Sequence, residues 1–153
     1  FGQGKSQQVH DYVKQVQDLG LLAGVSAHNP DYIKQIADEG WAVDFFMTCF
    51  YFLTRKRVPG AVEKMPPLLT LEVVYPFYRD DPLVMTKVIR QVDQPCLAFK
   101  ILGAGRRCGS QGEVREAFRF AFEHIKPDDA VIVGMYPKHF DQVAANARYT
   151  RQG

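Results

Sequence analysis

The residues best suited to chemistry lie in one stretch, "PCLAFKILGAGRRCGS", residues 95 to 110. An apolar run carries Lys100 in its middle, then breaks into glycines and two arginines, Arg106 and Arg107. Burying an unpaired ammonium is costly. Lys100 therefore marks either a strand that surfaces into a site or a side chain that snorkels to solvent. A third reading makes it a Schiff-base lysine, its pKa lowered by apolar surroundings. Gly103 and Gly105 allow a turn that presents backbone N–H groups, and a helix start follows at Ser110. That combination, with Arg106 and Arg107 beside it, favours an anion. The plain alternative is a tight turn with two solvated arginines. His28 ends another apolar run and titrates near neutrality, which suits an acid–base group or a ligand. Its alternative is a ring nitrogen that helps cap the helix opening at Pro30. His28 and Lys100 are thus the catalytic candidates.

Other chemistries find less support. Cys49, Cys96 and Cys108 lack metal-ligand spacing, so no metal site is expected and reduced thiols in an intracellular, cytoplasmic setting are. Cys49 has no activating base nearby in sequence and reads as a small buried thiol. Tyr51 reads as a pocket wall or hydrogen-bond donor. A net charge of +2 gives no reason to expect a nucleic-acid partner. No apolar run approaches the roughly 18 residues a membrane span needs, so no membrane partner is expected. The single "GAG" is too short for a dinucleotide fingerprint, and no phosphate-loop lysine motif or serine elbow occurs.

The elements that must position these residues alternate between helix and apolar run. Val9, Tyr12, Val13 and Val16 recur at helical spacing, and Gly20 follows. "LLAGVSAH" (21–28) predicts a buried strand. Asn29 caps and Pro30 opens a helix with Ile33, Ile36 and Ala37 inward and Gly40 at its end. "VDFFMTCFY" (43–51) predicts a second strand, apolar on both faces as parallel sheets require. A proline-rich excursion, residues 52–80, is too long for an ordinary connection and reads as a lid or insertion. Within it "LTLEVVY" suggests a short strand, and "RKR" at 55–57 a solvated basic run. Asp81 and Pro82 start a helix carrying Val84, Val88 and Ile89. "PCLAFKIL" predicts the third strand. Ser110 and Glu113 form a capping box for a helix striped by Val114, Ala117, Phe118, Ala121, Phe122 and Ile125. "AVIVGMY" (130–136) predicts the fourth strand, and Phe140, Val143, Ala144 and Ala147 a last helix.

Four strand-then-helix units behind a leading helix predict an α/β fold with a parallel sheet. A doubly wound sheet and part of a (β/α)8 TIM barrel both fit. A full barrel takes about 250 residues, and half of one leaves two exposed edges. With the opening at Phe1 in the approach to a helix, the expectation is a single domain, the C-terminal half of a TIM barrel. Its partner would be the N-terminal half-barrel.

The four strand ends together resemble the C-terminal half of an aldo/keto reductase. "GVSAHNPDYI" (24–33) is similar to the family's fifth-strand motif, and "VDFFMTCFY" to its sixth strand. "FKILGAGR" (99–106) resembles the seventh-strand segment ending in Leu-Gly-Gly-Gly. "AVIVGMYPKHFDQVAANAR" (130–148) resembles the eighth strand and its helix. The resemblance spans residues 20–150 without the excursion and implies an NADP-dependent oxidoreductase reducing a carbonyl substrate. It implies that Ser26 bonds the nicotinamide carboxamide and that Phe99 stands where a tyrosine stacks on the ring. Leu102, Gly103 and Gly105 would line the pyrophosphate loop, with Lys100 and Arg106 supplying charge, and Asn146 would meet the adenine. Ala27 and Met47 stand where the family has Asn and Gln, and Tyr136-Pro137 where it has Lys-Ser. The family's catalytic tetrad lies in the first half of its barrel, outside the residues matched. The alternative function is a TIM-barrel lyase or isomerase acting on a phosphorylated or carboxylated substrate through Lys100 and His28.

Overall fold

Among the described residues, three of the five α-helices begin at a side-chain cap. The computed structural model describes residues 3–56, 58–64 and 75–152, and within them α1 spans Ser6–Asp18. Asn29 accepts the Asp31 N–H at 2.9 Å to open α2 (Pro30–Asp38). Helix α3 covers Asp81–Ile89. Ser110 accepts the Glu113 N–H at 3.2 Å to open α4 (Gln111–His124). Glu113 reaches back to the Gly109 N–H at 2.8 Å, one residue earlier than a standard capping box requires. Asp141 accepts the Ala144 N–H at 2.9 Å to open α5 (Gln142–Thr150).

Between the helices run four short strands: β1 (Gly24–Ala27), β2 (Phe45–Cys49), β3 (Cys96–Phe99) and β4 (Ala130–Ile132). They form one parallel sheet in the order β1-β2-β3-β4. No crossover reverses direction, and α2, α3, α4 and α5 are successive neighbours. The chain is therefore an α/β protein in which a four-stranded parallel sheet alternates with helices. Register aligns Ser26, Met47, Leu97 and Ala130 in one row, and Ala27, Thr48, Ala98 and Val131 in the next. Val25, Phe46, Thr48, Cys96 and Ala98 are buried, in a core shared with Ile33, Ile36, Met85, Ile89 and Phe118. Their alternates Ser26, Phe45, Met47 and Leu97 are partly open to solvent. One face is covered and the other is not.

Several elements are shorter or turned relative to the apolar runs. Leu21 and Leu22 precede β1 and are exposed. On α1 Val13 is buried while Tyr12 and Val16 are exposed. Helix α3 turns Pro82, Met85 and Ile89 inward and leaves Val84 exposed. Helix α5 buries Ala145, with Phe140 and Val143 outward. In α4 the predicted stripe holds, with Phe122 half-buried. The common reason is that an apolar run reports contact with something apolar, whereas strand length is set by where the ladder's backbone turns away.

The excursion is anchored through its flanks. Val62 and Tyr78 form an antiparallel bridge, with Glu63 N–H to Phe77 O at 2.7 Å and Arg79 N–H to Ala61 O at 3.0 Å. Arg55 is not solvated: it pairs with buried Asp81 at 2.6 Å and lies 4.1 Å from the Tyr78 ring centroid. A local basic run cannot reveal a carboxylate partner that far along the chain. Arg57 and most of the expected "LTLEVVY" strand lie outside the described residues.

The N-terminal end of the sheet is closed by two carboxylates. Asp44 accepts the Ala23 N–H at 2.7 Å and the Gln17 amide at 3.0 Å. Asp129 accepts the N–H groups of Cys96 and Lys126, each at 2.7 Å. Lys126 Nζ lies 3.1 Å from Asp129 and donates to the Ile89 and Gln94 carbonyls. Backbone donors left over at the strand starts thereby find acceptors. Among the described residues no helix is long and apolar enough to cross a membrane.

Candidate functional site

Strand β3 ends at Phe99, and the chain turns sharply at the next residue. Lys100 adopts φ 59°, a left-handed conformation that costs a non-glycine residue about 1–2 kcal/mol. The Gly103 N–H closes the turn onto the Lys100 carbonyl at 2.8 Å. Lys100 is therefore not inside the third strand, contrary to the reading of "PCLAFKIL" as one element. The charge sits at the strand's exit, half-buried, its Nζ 5.8 Å from the Phe99 ring centroid. A short 3-10 turn, Gly103–Gly105, follows, with Ala104 also left-handed at φ 51°. Gly103 at φ +57° strains any larger residue: a Cβ there would lie 3.2 Å from the Tyr51 hydroxyl and 3.3 Å from Arg106 Cβ, so a neighbour would have to give way.

His28 follows the end of β1 and joins this group. Its ring centroid lies 5.7 Å from that of Phe99. Burial, then the nearby Lys100 charge, hold its pKa below the ordinary 6.5. Asn29 supplies the helix cap. Cys49 is fully buried and burial pushes its thiol up to about 11, so it stays protonated. All three cysteines are free thiols. Tyr51 is also fully buried, beneath Gly103, and its hydroxyl donates to Glu63 at 3.3 Å. Burial and the Glu63 charge push that phenol upward.

Two cavities flank the turn. One, of about 570 Å³, lies between the ends of β3 and β4. Phe99, Lys100, Leu102 and Gly105 form one wall, and Ile132, Val133, Met135 and Tyr136 the other. The second, of about 420 Å³, is lined by Glu63, Lys64, Arg79, Arg106, Arg107 and Glu113. Here the Arg106 guanidinium rests 3.7 Å from the Phe77 ring centroid and donates to the Gly103 carbonyl at 3.2 Å. Burial lowers its pKa.

The predicted residues thus divide. Phe99, Lys100, Leu102 and Gly105 share the first cavity, with His28 beside Phe99. Gly103 is buried in the partition, and Arg106 faces the second cavity. Ser26 lines a recess against α1, with Val9, Tyr12 and Val16. Asn146 is half-buried in α5, its carbonyl accepting the Thr150 hydroxyl at 3.1 Å, and lines neither cavity. Lys64 and Arg79 escaped the sequence reading. The only available signal was their place on opposite flanks of the excursion. Among the described residues no His, Cys, Asp and Glu side chains gather as a metal-binding group.

Fold and site together define an α/β protein in which two cavities flank the turn at the C-terminal end of β3 in a four-stranded parallel sheet. Compared with protein-family models, curated proteins and solved structures, the chain matches none of them.

Proposed function

We propose that the chain supplies four consecutive units, the C-terminal half, of a (β/α)8 barrel of the aldo/keto reductase kind, and that its mouth binds NADP for reduction of a carbonyl substrate. One observation carries this reading. Four of the residues expected to hold the dinucleotide, Phe99, Lys100, Leu102 and Gly105, line a single cavity closed opposite by the segment after β4. Barrel enzymes bind phosphate-bearing ligands at the loops after their last two strands. The apolar walls and Phe99 suit a flat ring, and Lys100 suits a phosphate oxygen at the rim. Bound nicotinamide would supply the hydride. His28, its pKa held below the ordinary value, would hydrogen-bond the substrate oxygen through its ring N–H and relay to it, from water, the proton that reduction to the alcohol consumes.

Four further βα units are the partner this reading requires. The β1 and β4 edges have no neighbouring strand among the described residues, and a parallel sheet is ordinarily covered on both faces. Exposed apolar side chains cluster at both edges: Tyr12, Leu19 and Leu22 near β1, and Ile132, Met135 and Tyr136 near β4.

Fluorescence or calorimetric titration with NADPH, NADP and NADH tests the proposal. Saturable NADPH binding, weakened about tenfold by Lys100→Met, is the expected result. Absence of binding at millimolar concentration overturns it. A second reading, a lyase or isomerase, is favoured by the strained Lys100 standing close enough to His28 to lower its pKa. Borohydride trapping of a carbonyl substrate on Lys100 separates the two.

A further inference from the structure

The second cavity differs from the first in kind. Every described side chain lining it is charged, with four cations, Lys64, Arg79, Arg106 and Arg107, against two carboxylates, Glu63 and Glu113. Both carboxylates already have partners within the chain. Glu63 accepts the Tyr51 hydroxyl, and Glu113 accepts the Gly109 N–H. Lys64 and Arg79 form no ion pair among the described residues and stand exposed on the two bonded flanks of the excursion. Arg106 and Arg107 are half-buried on the turn opposite. Two segments far apart in sequence thus bring four cations and two carboxylates to one concavity, and the net positive charge of the described lining attracts an anion.

We propose that this cavity binds a dianionic phosphoryl group, either free phosphate or a phosphomonoester. Among the described lining residues the excess of two positive charges matches a dianion better than a single carboxylate. Guanidinium forks match pairs of tetrahedral oxygens, and all six described lining side chains are charged. Arg106 is fixed over Phe77 and onto the Gly103 carbonyl, so the turn arrives pre-oriented. The described, hydrogen-bonded flanks of the excursion then form the second jaw of a phosphate clamp through Lys64 and Arg79. The assignment rests on neither reading of the reaction, because it requires no nicotinamide and no Lys100 chemistry.

Isothermal titration of the full chain with inorganic phosphate, and separately with glycerol 3-phosphate, at neutral pH and fixed ionic strength, tests it. Saturable binding is expected, weakened about tenfold or more by Arg79→Ala and by Arg107→Ala, and unchanged by Arg115→Ala on the outer surface of α4. Binding of both probes identifies an esterified phosphoryl group as acceptable; binding of phosphate alone restricts the site to the free ion. Arg79 is exposed, so its variant keeps the fold and remains informative if Arg107→Ala does not. The proposal is overturned if neither probe saturates, or if the Arg79→Ala protein binds both as tightly as the parent.

Discussion

At the N-terminal end of the sheet Asp44, Asp129 and Lys126 each meet backbone partners inside the chain. At the C-terminal end Lys100, Lys64 and Arg79 form no ion pair with a carboxylate among the described residues, and two non-glycine residues sit in left-handed conformations. Polar groups at the first end remove leftover backbone donors and hold the strand starts in place. Those at the second are unneutralised and attached to strained backbone, which stability alone does not select. The same sheet therefore separates a fastened end from a charged, strained end, which is the end the proposed readings use for binding.

The contrast breaks most severely at Asp129. Asp129→Ala removes the acceptor of two N–H groups and leaves the Lys126 ammonium without its carboxylate. A loss of about 3–4 kcal/mol is expected, read as a lowered denaturant midpoint. Phosphate affinity of the folded fraction should not change. Arg55→Ala comes next, since it strands the buried Asp81 carboxylate; about 3 kcal/mol is expected.

Gly103→Ala sharpens the comparison from the other side. It places a side chain at positive φ against Tyr51, costing about 1–3 kcal/mol, and unlike Asp129→Ala it should weaken phosphate binding as well. Lys100→Gly relieves the left-handed strain. Stability should hold or rise by up to about 1 kcal/mol while NADPH binding falls. A stability loss above 1 kcal/mol would show Lys100 to be a structural residue.

The smallest effects are in pH. His28 has its folded pKa below 6.5, so the unfolded chain binds the proton more readily. Its contribution to stability is complete above pH 6.5 and is lost as pH falls toward the folded value; His28→Gln should flatten that segment of the curve. Asp44, held below 3.8 by Ala23 N–H and Gln17, keeps its contribution above that pH and loses it in stronger acid. Thermal unfolding across both windows checks the two signs.

Alternation of helix and strand was legible because periodicity and caps are local. Asn29, Ser110 and the α4 stripe behave as their neighbours dictate. The conformation of Lys100 was not legible, since nothing in a lysine announces a left-handed backbone. The pairing of Arg55 with Asp81, and the place of Arg79 in one cavity with Arg107, depend on how the excursion's flanks meet at Val62 and Tyr78. Phe140 and Val143 misled because apolar residues beside the open β4 edge look the same in sequence as residues facing a core. Most of the first cavity's inner wall, and the Arg106 and Arg107 side of the second, could be read from residues 99–107; the contribution of Lys64 and Arg79 could not.

The turn from Gly103 to Arg107 is a partition shared by two chambers. Leu102 and Gly105 face one side, Arg106 and Arg107 the other, and Gly103 rests on Tyr51 between them. With NADPH proposed for one chamber and phosphate for the other, a shared wall is the route by which they would be linked: a shift that one occupant favours would change the fit of the other, by the same factor in both directions. Phosphate titrated with and without NADPH, and NADPH with and without phosphate, should therefore return one common ratio different from unity.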